Sequence, residues 1–296
     1  MDATRYIFAA SLGVLLAVAG CGFEAGPSAF DDQRVDNEDN NDNGGSTVDE
    51  LGAGQGAGTV DGTWLKVHIA SSCVFDQEQV SATYLIVDID ADGTTLTEHR
   101  TLCELDASPV LGNRPVASSD TLATVEYPVI DQGMVSSHTT GGGYSSSTAV
   151  GLWGINLDDP LTDPVPTDAD DDRVVDADGD GNPGVTMYLD GAGCDRYMGQ
   201  RQVVRFSGAL EAPNDIRGAS VRTTDTVVYG GTATSCEMAP DVISNDAHSF
   251  FRMVRVDGLG GAVDASADGG EIRCEDVEPF FDDIWDVREP DDDHCQ

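Results

Sequence analysis

Apolar and polar positions alternate with a period of two along much of this chain from Val60 onward. Trp64-Leu65-Lys66-Val67-His68-Ile69, Thr83-Tyr84-Leu85-Ile86-Val87-Asp88-Ile89 and Thr95-Leu96-Thr97-Glu98-His99-Arg100-Thr101-Leu102 each read as a half-buried strand. Similar runs cover residues 122–130, 148–156, 185–189, 197–206, 219–229 and 250–256. All are short, rich in β-branched residues and separated by clusters of Gly, Asp, Asn and Pro. No helical pattern alternates with them, so the expectation is an all-β fold: an antiparallel β-barrel or sandwich of about 8–10 strands. Closure into a barrel would remove the edges that invite aggregation. One segment breaks the pattern. In residues 275–288, Val277, Phe280 or Phe281, and Ile284 fall at helical spacing, with Asp276 or Glu278 to cap the start, Pro279 in the first turn and Pro290 after the end. A short C-terminal amphipathic helix packed on the sheet is the expectation; the alternative is that Phe280, Phe281 and Trp285 present a partner-binding surface.

Ahead of the strands the chain changes character twice. Residues 7–19 are apolar except for Ser11 and Gly13, too short a run to span a bilayer but suited to the core of a signal peptide. The run closes on Val18-Ala19-Gly20-Cys21, which resembles the lipobox of bacterial lipoproteins. That resemblance implies cleavage after Gly20, lipid on Cys21 and attachment to a membrane through it. With Gly22 in place of Asp after the cysteine, it implies the outer membrane. The alternative is an ordinary signal peptide that leaves no lipid. Residues 22–59 hold almost no large apolar side chains, and in Asp36-Asn37-Glu38-Asp39-Asn40-Asn41-Asp42-Asn43 they are almost wholly polar. Such a segment cannot offset its ordering entropy and is expected to act as a disordered tether, its ends roughly 35 Å apart or more. The organisation expected is therefore a signal peptide over 1–20, a lipidated cysteine and acidic linker over 21–59, and one disulfide-bonded β domain over 60–296.

Charge and cysteine usage narrow the function classes. The chain carries 54 acidic residues against 15 Lys and Arg, a net charge of −39. Removing residues 1–20 takes out Arg5 and Asp2 and leaves that balance unchanged; Lys66 is the sole lysine. A field this negative repels nucleic acid and anionic headgroups and favours cations and cationic ligands. With no basic patch, nucleic-acid binding is excluded. Beyond Cys21 there are six cysteines, Cys73, Cys103, Cys194, Cys236, Cys274 and Cys295, none in a metal-ligand spacing. An even number in an exported chain implies three disulfides. The sequence does not choose among the pairings; Cys73 with Cys103 and Cys274 with Cys295 are the local guesses.

Two motifs carry candidate chemistry. Gly62-Thr63-Trp64 resembles the Gly-x-Trp of the first strand of lipocalin-like barrels, which implies a tryptophan plugging one end of a barrel and an apolar ligand held at the other; the alternative is a buried strand tryptophan. Asp176-Ala177-Asp178-Gly179-Asp180-Gly181-Asn182 sets carboxylates at alternate positions before a glycine turn, oxygen chemistry that suits Ca²⁺. It resembles the first half of an EF-hand loop, or a thrombospondin-type aspartate box. The twelfth position is Met187, so the bidentate Glu of the EF-hand is missing. Further ligands would come from Asp172 or its neighbours in 168–172, from Asp190 or from Asp195. The expected site is Asp176, Asp178, Asp180, Asn182 and Asp172 holding a structural calcium that orders the connection over 158–184; the alternative is a solvated acidic loop. Asp88-Ile89-Asp90-Ala91-Asp92-Gly93 has the same spacing but reads as a hairpin turning at Asp92-Gly93.

Catalytic constellations are thin. There is no Gly-x-Ser-x-Gly elbow, His-Glu-x-x-His pair or phosphate-cradling loop, and the five histidines are scattered. The Gly141–Ser147 stretch reads as a mobile hairpin tip or a lid over a barrel mouth. Three functions follow. The first is a non-enzymatic, lipid-anchored envelope protein with a calcium-stabilised β domain that binds an unidentified ligand or protein partner. The second is a lipocalin-like carrier of a small apolar ligand, and the third a secreted hydrolase.

Overall fold

The computed structural model describes residues 58–257 and 271–296. The expected signal peptide, Cys21 and linker residues 22–57 lie outside the described residues. Among the described residues, twelve strands are joined by antiparallel pairing. They are β1 (Gly62–Val74), β2 (Gln77–Asp92), β3 (Thr95–Ala107), β4 (Arg114–Ala117), β5 (Gly133–Val135), β6 (Gly143–Ser145), β7 (Ala149–Trp153), β8 (Val185–Asp190), β9 (Cys194–Ala212), β10 (Asp215–Gly231), β11 (Val242–Ser244) and β12 (Phe250–Arg255). The pairing runs β1-β2-β3-β5-β6-β9-β10-β12 and returns from β12 to β1, so eight strands form a closed ring. This is the all-β antiparallel architecture expected.

Period-two patterning decides which side chains point into the ring. Register pairs Trp64 with Val87 and Arg255, Lys66 with Leu85 and Met253, and His68 with Thr83 and Phe251, all on the inner face. The inner core gathers Trp64, Val87, Leu96, Leu210, Ile216 and Phe251. The opposite face of β1, β2 and β12 is apolar too, because the C-terminal segment covers it. Val277, Phe280, Phe281 and Ile284 pack on Leu65, Val67, Tyr84 and Ile86, with the Tyr84 and Phe281 rings stacked at 4.3 Å. The helix expected over 275–288 is present as consecutive short turns, Cys274–Val277, Glu278–Phe280 and Phe281–Ile284. Asp276 accepts a hydrogen bond from the Arg273 nitrogen at its start. Phe280 and Phe281 are buried against the sheet, so they do not form an exposed partner surface.

Three expectations are corrected. Both local disulfide pairings are wrong: the bridges are Cys73–Cys295, Cys103–Cys274 and Cys194–Cys236. Cys73 lies on β1 and Cys103 on β3, with β2 between them. Two strand spacings are about 9.5 Å, beyond the roughly 7 Å limit for a bridge. Each cysteine instead reaches outward to the C-terminal segment. Residues 122–130 are not a strand: Ser118 accepts a hydrogen bond from the Thr121 nitrogen and caps a short helix, Ser119–Ala123, and only the single bridge Glu126–Leu152 follows. The Gly141–Ser147 stretch is neither lid nor free tip, because it contributes β6 to the ring and buries Ser146 and Ser147. The Asp88–Gly93 motif is a hairpin as expected, its two-residue turn falling on Gly93-Thr94.

A cavity in the ring and an acidic loop beside it

One end of the ring is closed. Trp64 is fully buried there, its Nε1 donating to the Val60 carbonyl at 3.0 Å and its ring covered by the Arg255 guanidinium at 5.0 Å. Arg255 in turn donates to the carbonyls of Thr59 and Asp61. Above this plug lies a polar layer. Lys66, the sole lysine, is fully buried with its Nζ 3.3 Å from the centre of the Phe206 ring and without a hydrogen-bond partner among the described residues. Burial drives its pKa well below the usual lysine value, with Glu98 opposing. Glu98 accepts from Tyr144 Oη at 2.7 Å, from Ser147 Oγ and from Arg100. His68 bonds Ser220 Oγ at 2.9 Å, and burial lowers its pKa well below that of free imidazole.

Beyond this layer, at the end of β1 away from Trp64, the ring contains a cavity of about 380 Å³. Its walls come from alternate residues of β1, β2, β9 and β10, which period-two geometry turns inward: Ser72, Ser81, Gln200, Gln202, Arg222 and Thr224 supply polar atoms. Leu105, Met187, Leu189, Met198, Tyr127 and Trp153 supply apolar surface. Phe75, Leu111 and Met238 line it as exposed residues and form an apolar mouth. Two of those three sit on unusual backbone. The β1–β2 turn is Phe75-Asp76, with φ of 52° and 59°, and Leu111 has φ of 51°. Positive φ at both centres of a two-residue turn normally calls for Asn or Gly, so the turn holds Phe75 over the mouth at some cost in backbone energy.

The acidic loop lies beside the ring, between β7 and β8. Asp176, Asp178 and Asp180 come together, one carboxylate oxygen of each within 4.8 Å of the others. Asp172 is not among them, and Asn182 meets the group through its backbone nitrogen, which donates to Asp180 Oδ1 at 2.8 Å. Asp176 accepts from the nitrogens of Asp180 and Gly181. Asp178 Oδ2 accepts from the Thr186 nitrogen at 2.8 Å, and Asp180 Oδ2 from Thr186 Oγ1 at 2.6 Å. Burial works to raise the Asp180 pKa, but the Thr186 and Asn182 hydrogen bonds bring it below the usual value. Asp178 Oδ1 is buried with no partner among the described residues. The all-oxygen donor set, with one buried oxygen left over, fits a hard cation. The connection before the loop also has protein contacts of its own: Arg201 donates to the Asp163 carbonyl at 2.6 Å, Tyr229 to that of Pro166, and Arg173 pairs with Asp171.

No protein-family model matches this chain. Neither a curated protein nor a solved structure shows significant similarity to it. The residues themselves therefore carry the functional argument.

Sequence reasoning missed the interior polar layer and a second buried charge cluster. Glu78, 1% exposed, takes donors from Arg288, Ser71 and the Asp291 nitrogen, and His294 Nδ1 lies 3.1 Å from it, the His294 ring stacked on His248 at 3.7 Å. This cluster holds the C-terminal tail beside the Cys73–Cys295 bridge. The available signal was a glutamate at an alternating strand position with no apolar reason to be buried. Its partners in the tail, Arg288, Asp291 and His294, lie 210 to 216 residues away in sequence and gave none.

Proposed function

We propose that this chain is a non-enzymatic binding protein of the cell envelope, anchored through Cys21, that takes a small, partly apolar ligand into the cavity of its ring. The single observation that carries the reading is the cavity itself. It occupies the end of the ring opposite the Trp64 plug, opens through an apolar mouth, and falls in the size range of small-molecule sites. A lipocalin-like carrier has the same division between a plugged and an open end. The test is uptake of Nile red, a neutral dye that brightens in apolar surroundings. The expected result is one dye per chain, with uptake lost in Ala107→Trp, which fills the cavity from β3. No brightening, or brightening unchanged in a folded Ala107→Trp, contradicts the reading. Anchoring has its own test: Cys21→Ser abolishes fatty-acid labelling if the lipobox reading holds.

A second reading concerns the acidic loop, a structural Ca²⁺ on Asp176, Asp178 and Asp180. The unpartnered oxygen of Asp178 favours it. A ligand bound only by the folded form must raise stability. The unfolding midpoint is therefore expected to rise with Ca²⁺ and fall with EDTA, and to lose that response in Asp178→Asn. Equal midpoints in the two conditions contradict it.

A further inference from the structure

The charges around the cavity are the reverse of those on the rest of the chain. Against 54 acidic residues in the sequence, no aspartate or glutamate among the described residues lines the cavity, while two arginines do, Arg196 and Arg222. Nine of the twelve described arginines form an ion pair with a carboxylate. Among the described residues the three that do not are Arg205, exposed on the outside of β9, and the two in the cavity. Arg196 is satisfied by main-chain oxygens, its Nε and Nη2 donating to the carbonyls of Cys236 and Met238 at 2.9 and 2.8 Å.

Arg222 is not satisfied in this way. It is 8% exposed on the inner face of β10; its Nη2 donates to Ser72 Oγ, and its Nε is buried without a partner among the described residues. Asp246 accepts from the Arg222 backbone nitrogen at 3.1 Å but makes no ion pair with the guanidinium. Burial lowers the Arg222 pKa to about 10, with Asp246 opposing. A buried cation lacking a counter-charge is costly, and removing the cost takes an anion brought to it.

We propose that the cavity selects a single-chain amphiphile with a carboxylate headgroup, its carboxylate paired to Arg222 and its chain running along Leu105, Met187 and Met198 toward the mouth. The inference rests on the cavity reading above and adds the headgroup. A ligand in this orientation places its anion at the buried end, where Ser72, Ser81 and Gln202 can also hydrogen-bond it, and its tail against Phe75 and Met238. The net charge of −39 does not forbid this. Surface carboxylates beyond about 8 Å are screened by physiological salt, whereas an ion pair at contact in a poorly solvated cavity is much stronger.

The test is displacement of bound Nile red from the full chain by three ten-carbon probes below their micelle concentrations: decanoate, decanol and decylamine. Decanoate is expected to displace the dye at a concentration roughly tenfold or more below decanol, the scale of one charge-assisted hydrogen bond. Decylamine is expected to be weakest. In Arg222→Met the ratio of acid to alcohol falls toward one, and Arg222→Lys retains part of it. Should Arg222→Met fail to fold, the ratio in the unsubstituted protein still decides the matter. Dye uptake with decanoate no better than decanol, or a ratio unchanged in Arg222→Met, overturns the headgroup assignment and leaves the cavity reading intact. Failure of the dye and of all three probes to bind overturns both.

Discussion

At the scale of single residues, buried charge is the organising quantity, and Glu78 is its clearest case. Burial tends to raise its pKa, yet hydrogen bonds from Arg288, Ser71 and the Asp291 nitrogen bring it down to about 2. The folded value lies below the unfolded value of about 4.3, so the stabilisation is present above about pH 4.3 and is lost as pH falls toward 2. Glu78→Gln leaves Arg288 without its carboxylate and is expected to cost about 3–5 kcal/mol at neutral pH, read from urea unfolding. The difference between variant and parent should narrow at pH 3 and below; a difference that stays constant with pH contradicts the assignment. The alternation in the sequence placed Lys66 and His68 in a strand, while Glu78 lies ahead of the run read over 83–89. It did not reveal that each is buried as a polar group, because the Phe206 ring over Lys66, Ser220 beside His68 and the tail residues around Glu78 all come from far away in sequence.

At the scale of elements, the C-terminal segment behaves as a strap over β1, β2 and β12, riveted by Cys103–Cys274 and Cys73–Cys295. The double variant Cys103→Ser/Cys274→Ser is expected to lose about 2–4 kcal/mol and to become sensitive to protease within residues 271–296 before the strands are cut. Uniform cleavage across the chain would contradict a separable strap. Where the acidic loop rejoins β8, Gly184 has φ of +86°, and a Cβ there would lie 2.2 Å from the Met198 carbonyl oxygen. Gly184→Ala is therefore expected to cost about 1 kcal/mol or more; an unchanged midpoint in urea would contradict this close approach. The long strands and the apolar spacing of the strap were legible in the sequence, since each repeats a period over enough residues to stand out. The three-residue strands β5 and β6 were not, although they complete the ring, because three residues hold no recognisable period. The disulfide pairing was hidden for a different reason: it depends on which strand lies between two cysteines, and that is set by topology.

At the scale of the whole molecule, the ring is plugged at one end by Trp64 and open at the other into a cavity that the net charge does not foretell. Composition pointed toward cationic ligands; the inward-facing residues of β9 and β10 supply arginine and no carboxylate at the cavity wall. Methionines report directly on whether ligand enters there. Met187, Met198 and Met238 line the cavity, Met253 is buried near the plug, and Met134 is exposed on the outside of the ring. The decisive measurement is a titration of methyl-labelled protein with decanoate, followed by the methionine methyl resonances. Ligand entry through the mouth gives saturable shifts at Met187, Met198 and Met238 with Met134 unmoved; shifts confined to Met134, or none at the three cavity methyls, rule it out.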